Sequence, residues 1–341
     1  FIGTNLAHRI LQGGRNVLLF DNLSRPGVER NLAWLQSVYG ERVEFLEGDV
    51  RHRSALREVV RRADQVYHFA AQVAVTTSLE DPVHDFEVNV GGTLNLLEEL
   101  RALSRPVPLV FTSTNKVYGA LNHLRLRRDG TRYEPEEGAL RNRGVNEDCP
   151  RDFHSPYGCS KGAADQYVLD YTRSFGLPTV VFRMSCIYGP HQFGTEDQGW
   201  VAHFLICALQ DRPLTLYGDG LQVRDILFVE DLAEALVLAQ AHMKHLAGQA
   251  FNMGGGPRNT ISLLELLELI ADIHGQTPPV CVTAWRIGDQ RYYVSDTSKF
   301  EAGTGWAPRV GVREGVTRLY EWLVQARGRP RRRLLAGKGS S

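Results

Sequence analysis

The chain has 341 residues, 43% of them hydrophobic, and its 39 lysines and arginines match its 39 aspartates and glutamates. That balance excludes a disordered chain and leaves no electrostatic case for a nucleic acid or an acidic membrane as partner; no apolar run approaches the roughly 18 residues of a bilayer span. The five cysteines (Cys149, Cys159, Cys186, Cys207, Cys281) are scattered without Cys-x-x-Cys spacing, so neither a disulfide framework nor a metal site is expected, and a reducing, cytoplasmic setting is.

Leu6, Ala7, Ile10 and Leu11 recur at helical spacing behind Gly3, and the apolar run from Asn16 to Phe20 then ends in Asp21. Asp21 follows Gly3 by 18 positions, the spacing of the second half of a dinucleotide-binding βαβ unit. The first half, a strand and two glycines, is absent from the sequence. A central strand cannot be dropped from a doubly wound sheet without orphaning backbone groups, so a further segment of about a dozen residues or fewer is expected ahead of Phe1.

Strands are predicted at 43–46, 65–69, 109–111 and 179–182, and helices up to Arg62, over 90–103 and over 157–175. Strands alternating with helices predict an α/β fold, a doubly wound parallel sheet of Rossmann type, over residues 1–185. Residues 120–148 form a polar, charge-mixed insertion in it. Beyond Cys186 the pattern loosens into a smaller α+β substrate lobe over 186–326, with possible returns to the main domain. Asp231–Glu234 and Ser262–Glu265 have capping-box spacing, and Gly254–Gly256 reads as a turn. Cys186 reads as a small filler. Residues 327–341, with Arg331–Arg333, read as a basic, solvated tail.

The chemistry gathers at two places. Tyr157 and Lys161 lie four apart at a helix start, one turn apart on one face. A phenol titrates near 10 in isolation, and an adjacent ammonium and the cationic nicotinamide ring of a bound dinucleotide would both favour its ionised form, so Tyr157 is a candidate base. Tyr-x-x-x-Lys also occurs by chance. Thr114 follows the strand at 109–111, at the carboxyl end where α/β proteins bind ligands, although a hydroxyl there can equally cap its own strand end.

Longer strings carry a resemblance. Phe1-Ile2-Gly3, Gly48-Asp49-Val50, His68-Phe69-Ala70-Ala71-Gln72, Asn89-Val90-Gly91-Gly92-Thr93, the run from Thr112 to Gly119, and Val223-Arg224-Asp225 with Asp231 resemble the extended short-chain dehydrogenase/reductases of the NAD-dependent nucleotide-sugar epimerase/dehydratase family. The resemblance covers nearly the whole chain. Asn115-Lys116 and the runs 152–167 and 197–201 narrow it to members acting at C2 of CDP-linked dideoxyhexoses, interconverting CDP-paratose and CDP-tyvelose.

The resemblance implies NAD as cofactor, a nucleotide sugar (most simply a CDP-hexose) as substrate, and a homo-oligomer. It places Phe1, Ile2 and Gly3 at the cofactor pyrophosphate, Asp21 and Asn22 at the adenosine ribose, and Asp49 and Val50 beside the adenine. Ala70, Ala71, Gln72, Asn89 and Thr112 line the nicotinamide half. Thr114, Tyr157 and Lys161 become the catalytic residues, Tyr157 and Lys161 also touching the cofactor. Thr114, Asn115, Lys116, Gln198, Arg224 and Arg291 face the substrate, with a structural ion pair to Asp225 or Asp231 as the alternative for Arg224. Dehydratases of the family carry an Asp-Glu pair after that threonine. Asn115 and Lys116 stand there instead, which favours epimerisation by transient oxidation over elimination. A UDP-sugar 4-epimerase is the nearest alternative, then a 4,6-dehydratase or a non-catalytic dinucleotide-binding protein.

Overall fold

A computed structural model describes residues 1–286 and 288–327. The main sheet is a four-stranded parallel ladder in the order Val66–His68, Leu109–Thr114, Thr179–Met184, Gln249–Met253. Alternation along these strands sends side chains to two different cores. Leu109, Phe111, Val181 and Ala250 meet Leu96, Leu97, Ala164 and Val168 of the helices Gly92–Arg101 and Ser155–Phe175. Val110, Val180, Phe182 and Phe251 meet Leu6 of the helix Ile2–Gln12 and Leu232 and Leu236 of the helix Val229–Ala241. Covering on both faces explains why all six residues of 109–114 are buried and why their sequence is a continuous apolar and small-polar run. Each large apolar side chain so buried contributes about 1.5–3 kcal/mol.

A second parallel ladder pairs Val17–Asp21 with Val43–Glu47, Asp21 standing opposite Glu47. Among the described residues no strand pairing joins it to the four-stranded ladder. In the remainder of the chain Val223–Phe228 is central. It pairs in parallel with Cys186–Tyr188 and Tyr292–Tyr293 and antiparallel with Thr260–Ser262. The helices Trp200–Leu209, Leu263–His274 and Val312–Arg327 cover this sheet around Leu205, Leu266, Ile270 and Leu319.

Several sequence readings are revised. The strand predicted at 109–111 runs on to Thr114, because Thr112, Ser113 and Thr114 stay paired with Phe182, Arg183 and Met184. Thr114 is therefore inside the strand. Strand 249–253 returns to the main sheet beside 179–184. The insertion 120–148 builds a hairpin, Leu126–Asp129 with Arg132–Pro135, that docks on the second lobe: Arg132 forms a bidentate pair with Glu265, and the Ser262 hydroxyl donates to the Thr131 carbonyl. Ser262 and Glu265 form the expected capping box. Asp231 does not: its helix starts at Val229, and its carboxylate accepts the backbone N–H groups of Arg309 and Val310. The basic tail lies, beyond Arg327, outside the described residues.

Candidate active site

Thr112, Thr114, Tyr157 and Lys161 meet at the carboxyl end of strand 109–114. Thr114 caps the single turn Asn115–Tyr118, its hydroxyl accepting the Lys116 N–H at 3.2 Å. Gly119 then turns the chain at φ 66°, where a Cβ would lie 2.4 Å from the Asp152 carbonyl, so no side chain fits. The helix carrying Tyr157 and Lys161 begins at Ser155-Pro156. Ser155 sits at φ 63°, an unusual conformation for serine, and its hydroxyl accepts the Gly158 N–H at 3.2 Å. The Ser78 hydroxyl accepts the Tyr157 N–H.

Lys161 is buried. Its Nζ donates to the Thr112 carbonyl at 2.7 Å and lies 4.3 Å from the Phe111 ring centre. Burial pulls this ammonium down to about 7, against the opposing pull of Asp165 and Asp85. Burial likewise pushes the Tyr157 phenol up to about 12, with the Thr114 hydroxyl pulling the other way. Of the two cations expected to favour the phenolate, the Lys161 ammonium does not offset this burial. The ammonium is committed to a backbone carbonyl, and desolvation outweighs its field.

On the cofactor side, the helix 2–12 starts at Phe1 with neither a side-chain cap nor an acidic residue in its first turn. Ile2 and Gly3 are the first residues of this helix, where backbone N–H groups point along the helix axis toward a phosphate-sized anion. Asp21 is exposed at the end of its strand and accepts the Leu23 N–H with one oxygen. Asn22 donates to Asp49, whose carboxylate also holds Arg51 and is kept well below the ordinary range by it. Val50 packs against Gly92, where a Cβ would come within 2.5 Å of it. Ala70, Ala71 and Gln72 follow strand 66–68 and are partly open. Asn89 lies in a wide helical turn, Glu87–Gly91, and clamps Gln72: its Oδ1 accepts the Gln72 N–H at 3.0 Å and its Nδ2 donates to the Gln72 carbonyl at 3.1 Å. A helix N-terminus, an exposed carboxylate with one oxygen unengaged and a buried lysine that donates one of its N–H bonds to Thr112 are donors and acceptors that fit a dinucleotide.

On the substrate side, Arg224 is buried, and its ion pair is with Asp289 at 2.7 Å, neither with Asp225 nor with Asp231. Lys116 Nζ donates to the Gly288 carbonyl and stands 3.9 Å from the same Asp289 oxygen. Asn115 donates to Gln290, which donates in turn to the Gly119 carbonyl. Gln198 closes a tight backbone turn with Thr195. Arg291 is exposed, its guanidinium between the rings of Tyr133 and Trp285. Cys186 is half-buried, its sulfur accepting the Trp200 indole N–H. Asp289, Gln290, Asp85 and Ser160 were not singled out in the sequence. Asp289 and Gln290 reach the site from about 170 positions away along the chain, and no spacing rule announces such a contact.

Residues 1–254 match the model of the NAD dependent epimerase/dehydratase family. The chain belongs to that family. It is similar to CDP-paratose 2-epimerase of Salmonella typhi, 44% identical over 329 residues, covering 94% of this chain and 96% of the relative. It is 33% identical to a dTDP-glucose 4,6-dehydratase of Streptomyces antibioticus, over 94% of this chain and 89% of that one. Among solved structures, it is similar to the UDP-glucose 4-epimerase of Thermus thermophilus in complex with NAD (TM-score 0.78, 34% identity, 96% of each chain). It also resembles the UDP-glucuronic acid 4-epimerase of Bacillus cereus with UDP-glucuronic acid and NAD (TM-score 0.81, 26% identity, 96% of each chain). The family member described here is thus an enzyme on a Rossmann-type fold with NAD as its cofactor. Among the described residues no helix is long and apolar enough to cross a membrane, and no cluster of His, Cys, Asp and Glu is arranged to hold a metal.

Proposed function

We propose that the protein epimerises C2 of a CDP-linked dideoxyhexose, CDP-paratose to CDP-tyvelose, by transient oxidation to a keto sugar and re-reduction from the opposite face. Bound NAD supplies the reversible hydride acceptor. Tyr157 takes the sugar hydroxyl proton and later returns it. Thr114 hydrogen-bonds the reacting oxygen, and Lys161 holds the nicotinamide ribose. Asp21 and Asn22 take the adenosine ribose, a carboxylate there favouring NAD over a 2′-phosphorylated cofactor. Phe1, Ile2, Gly3, Asp49, Val50, Ala70, Ala71, Gln72, Asn89 and Thr112 complete the cofactor cradle. Arg224 suits a bidentate grip on the substrate diphosphate. Asn115, Lys116, Gln198 and Arg291 border the sugar and base.

The observation that carries this reading is the pair after Thr114. Elimination of water needs an acid and a base beside the sugar. Asn115 is neither and is tied to Gln290, while Lys116 is turned onto Gly288 and Asp289. Reversible oxidation asks of the side chains only the Thr114–Tyr157–Lys161 group, with NAD as the hydride acceptor. The likeness to a CDP-paratose 2-epimerase at 44% identity supports the substrate.

A second copy of the chain is the proposed partner. Val83 and Phe86 of the helix Pro82–Phe86 and Phe153, Tyr167 and Phe175 in and beside the helix 155–175 are exposed, and these two helices pack together. Such an apolar helix pair supports a dimer.

The test is incubation of the protein with CDP-paratose, CDP-tyvelose, UDP-glucose or UDP-galactose without added cofactor, followed by NMR. Interconversion of the CDP pair is expected. Conversion of the UDP pair alone would move the assignment to a 4-epimerase, and no conversion would end it.

A further inference from the structure

One buried carboxylate near the site has no role in the reaction as described. Asp85, in the five-residue helix 82–86, is fully buried. Its Oδ1 accepts from Asn89 Nδ2 at 3.1 Å, and its Oδ2 has no hydrogen-bond partner. The same Asn89 amide, which also faces the Gln72 carbonyl and so shares its two hydrogens among three acceptors, lies 3.0 Å from the Ser160 hydroxyl, and that hydroxyl lies 3.2 Å from the Tyr157 carbonyl and also interacts with the Asp85 carboxylate. Asp85 also lines a cavity of about 300 Å³ with Phe86, Val90, Pro156, Ser160 and Ala163, so apolar walls surround it.

A buried carboxylate oxygen without a donor is costly, and burial raises the Asp85 carboxyl above its ordinary range accordingly. An asparagine at this position would make the same link to Asn89 with no charge to desolvate. The charge therefore has work elsewhere. The titratable groups that face Asp85 are Lys161 and Tyr157 on the helix 155–175 and His84 on its own helix; Lys161 is also faced by Asp165.

We propose that Asp85 is a positioning carboxylate for proton transfer: through Asn89 and Ser160 it fixes the first turn of the helix bearing Tyr157 and Lys161, and its negative charge sets the charge balance of that pair. The proposal rests on the reading of Tyr157 and Lys161 as the acid–base residues. A negative charge stabilises the Lys161 ammonium and destabilises the Tyr157 phenolate, so it raises the pKa of both groups. Its removal lowers both.

In the holoenzyme, Asp85→Asn is expected to move both limbs of the kcat/KM pH profile to lower pH by about 0.5–1 unit. A uniformly lower rate with both limbs in place would leave Asp85 a merely structural residue and overturn the proposal. The coupling is reciprocal and can be read without turnover and without altering Asp85. With 13C-labelled aspartate carboxyls assigned individually, so that Asp85 is told apart from Asp165, Lys161→Met is expected to shift the Asp85 titration upward by a similar amount. An unchanged Asp85 titration, whatever Asp165 does, would overturn the proposal even where Asp85→Asn does not fold. If no nucleotide sugar is turned over, the functional reading fails and the NMR titration still decides the role of Asp85.

Discussion

Tyr157 as the fold leaves it is a poor base, and that fact can be turned into a measurement. With the phenol pushed up to about 12, about one molecule in 10⁴ holds the phenolate at about pH 8, a cost of about 5.4 kcal/mol at about 1.36 kcal/mol per unit. Lys161, drawn down to about 7 and bonded to the Thr112 carbonyl, offsets little of this. A cation within about 6 Å lowers an acid by about 1–3 units. The oxidised nicotinamide is a cation and the reduced one is not. Loading with NAD⁺ should therefore lower the Tyr157 titration by about a unit or more, and NADH should leave it nearly in place. The assay is the alkaline rise of tyrosinate absorbance for each complex, with the same titration of Tyr157→Phe subtracted to isolate this phenol among the twelve tyrosines. Identical difference curves for the two complexes would refute the reasoning, because the cofactor would then contribute nothing to activating the base. Tyr157→Phe should also lower kcat by about 10²–10⁴-fold, the usual worth of a general base.

Two further predictions concern the scaffold beneath the site. His68 is buried beside Lys161, its Nε2 at 3.0 Å from the Thr93 hydroxyl, and burial holds it down at about 3. Its folded pKa lies below the unfolded value of about 6.5, so its contribution is complete above about pH 6.5 and is lost as pH falls toward about 3, by about 4–5 kcal/mol in all. Urea midpoints of His68→Gln should fall less steeply with acid than those of the unaltered protein; parallel curves would exclude His68 as the cause. Asp165 and Arg183 form a bidentate buried pair at 2.9 Å, and Asp165→Asn would leave a buried guanidinium with the Tyr118 hydroxyl at 3.2 Å. A loss of about 3–5 kcal/mol in denaturant unfolding is expected, largely recovered in Asp165→Leu/Arg183→Met. A single substitution costing under about 1 kcal/mol would mean that water reaches the pair.

The parallel sheet was legible because its strands are covered on both faces and so read as apolar runs, and because helices of regular period separate them. The site was legible where its residues are neighbours in sequence, as in Tyr157 and Lys161, or stand at strand ends, as in Thr114 and Asp21. Long-range pairing was not. Nothing in the composition of 120–148 marks Arg132 as the partner of Glu265, and nothing near Arg224 points to Asp289. The Asp231 spacing misled because a carboxylate in a first helical turn can serve another segment's N–H groups as readily as its own. The effect of burial on Tyr157 and Lys161 was not legible either. Sequence spacing put an ammonium one turn from a phenol, but only the fold shows that the ammonium is spent on a carbonyl and that both groups are desolvated.

Arg224 is the residue on which the two readings of the substrate side diverge, and Asp289 separates them. One oxygen of Asp289 lies 2.7 Å from the Arg224 guanidinium and 3.9 Å from the Lys116 ammonium, so one anion already occupies the meeting point of two cations. A substrate diphosphate bound at Arg224 must displace or share that position. Asp289→Asn removes the competing charge while keeping a hydrogen-bonding side chain, and a charge-assisted bond is worth about 1.5–3 kcal/mol. If Arg224 grips the diphosphate, CDP should bind roughly tenfold tighter to Asp289→Asn, and the gain should vanish in an Arg224→Ala background. If Arg224 is only a structural partner, the substitution leaves a buried guanidinium short of its counter-charge. Calorimetric titration would then find CDP affinity unchanged while unfolding came earlier, and the diphosphate would have to be sought at Arg291 or elsewhere.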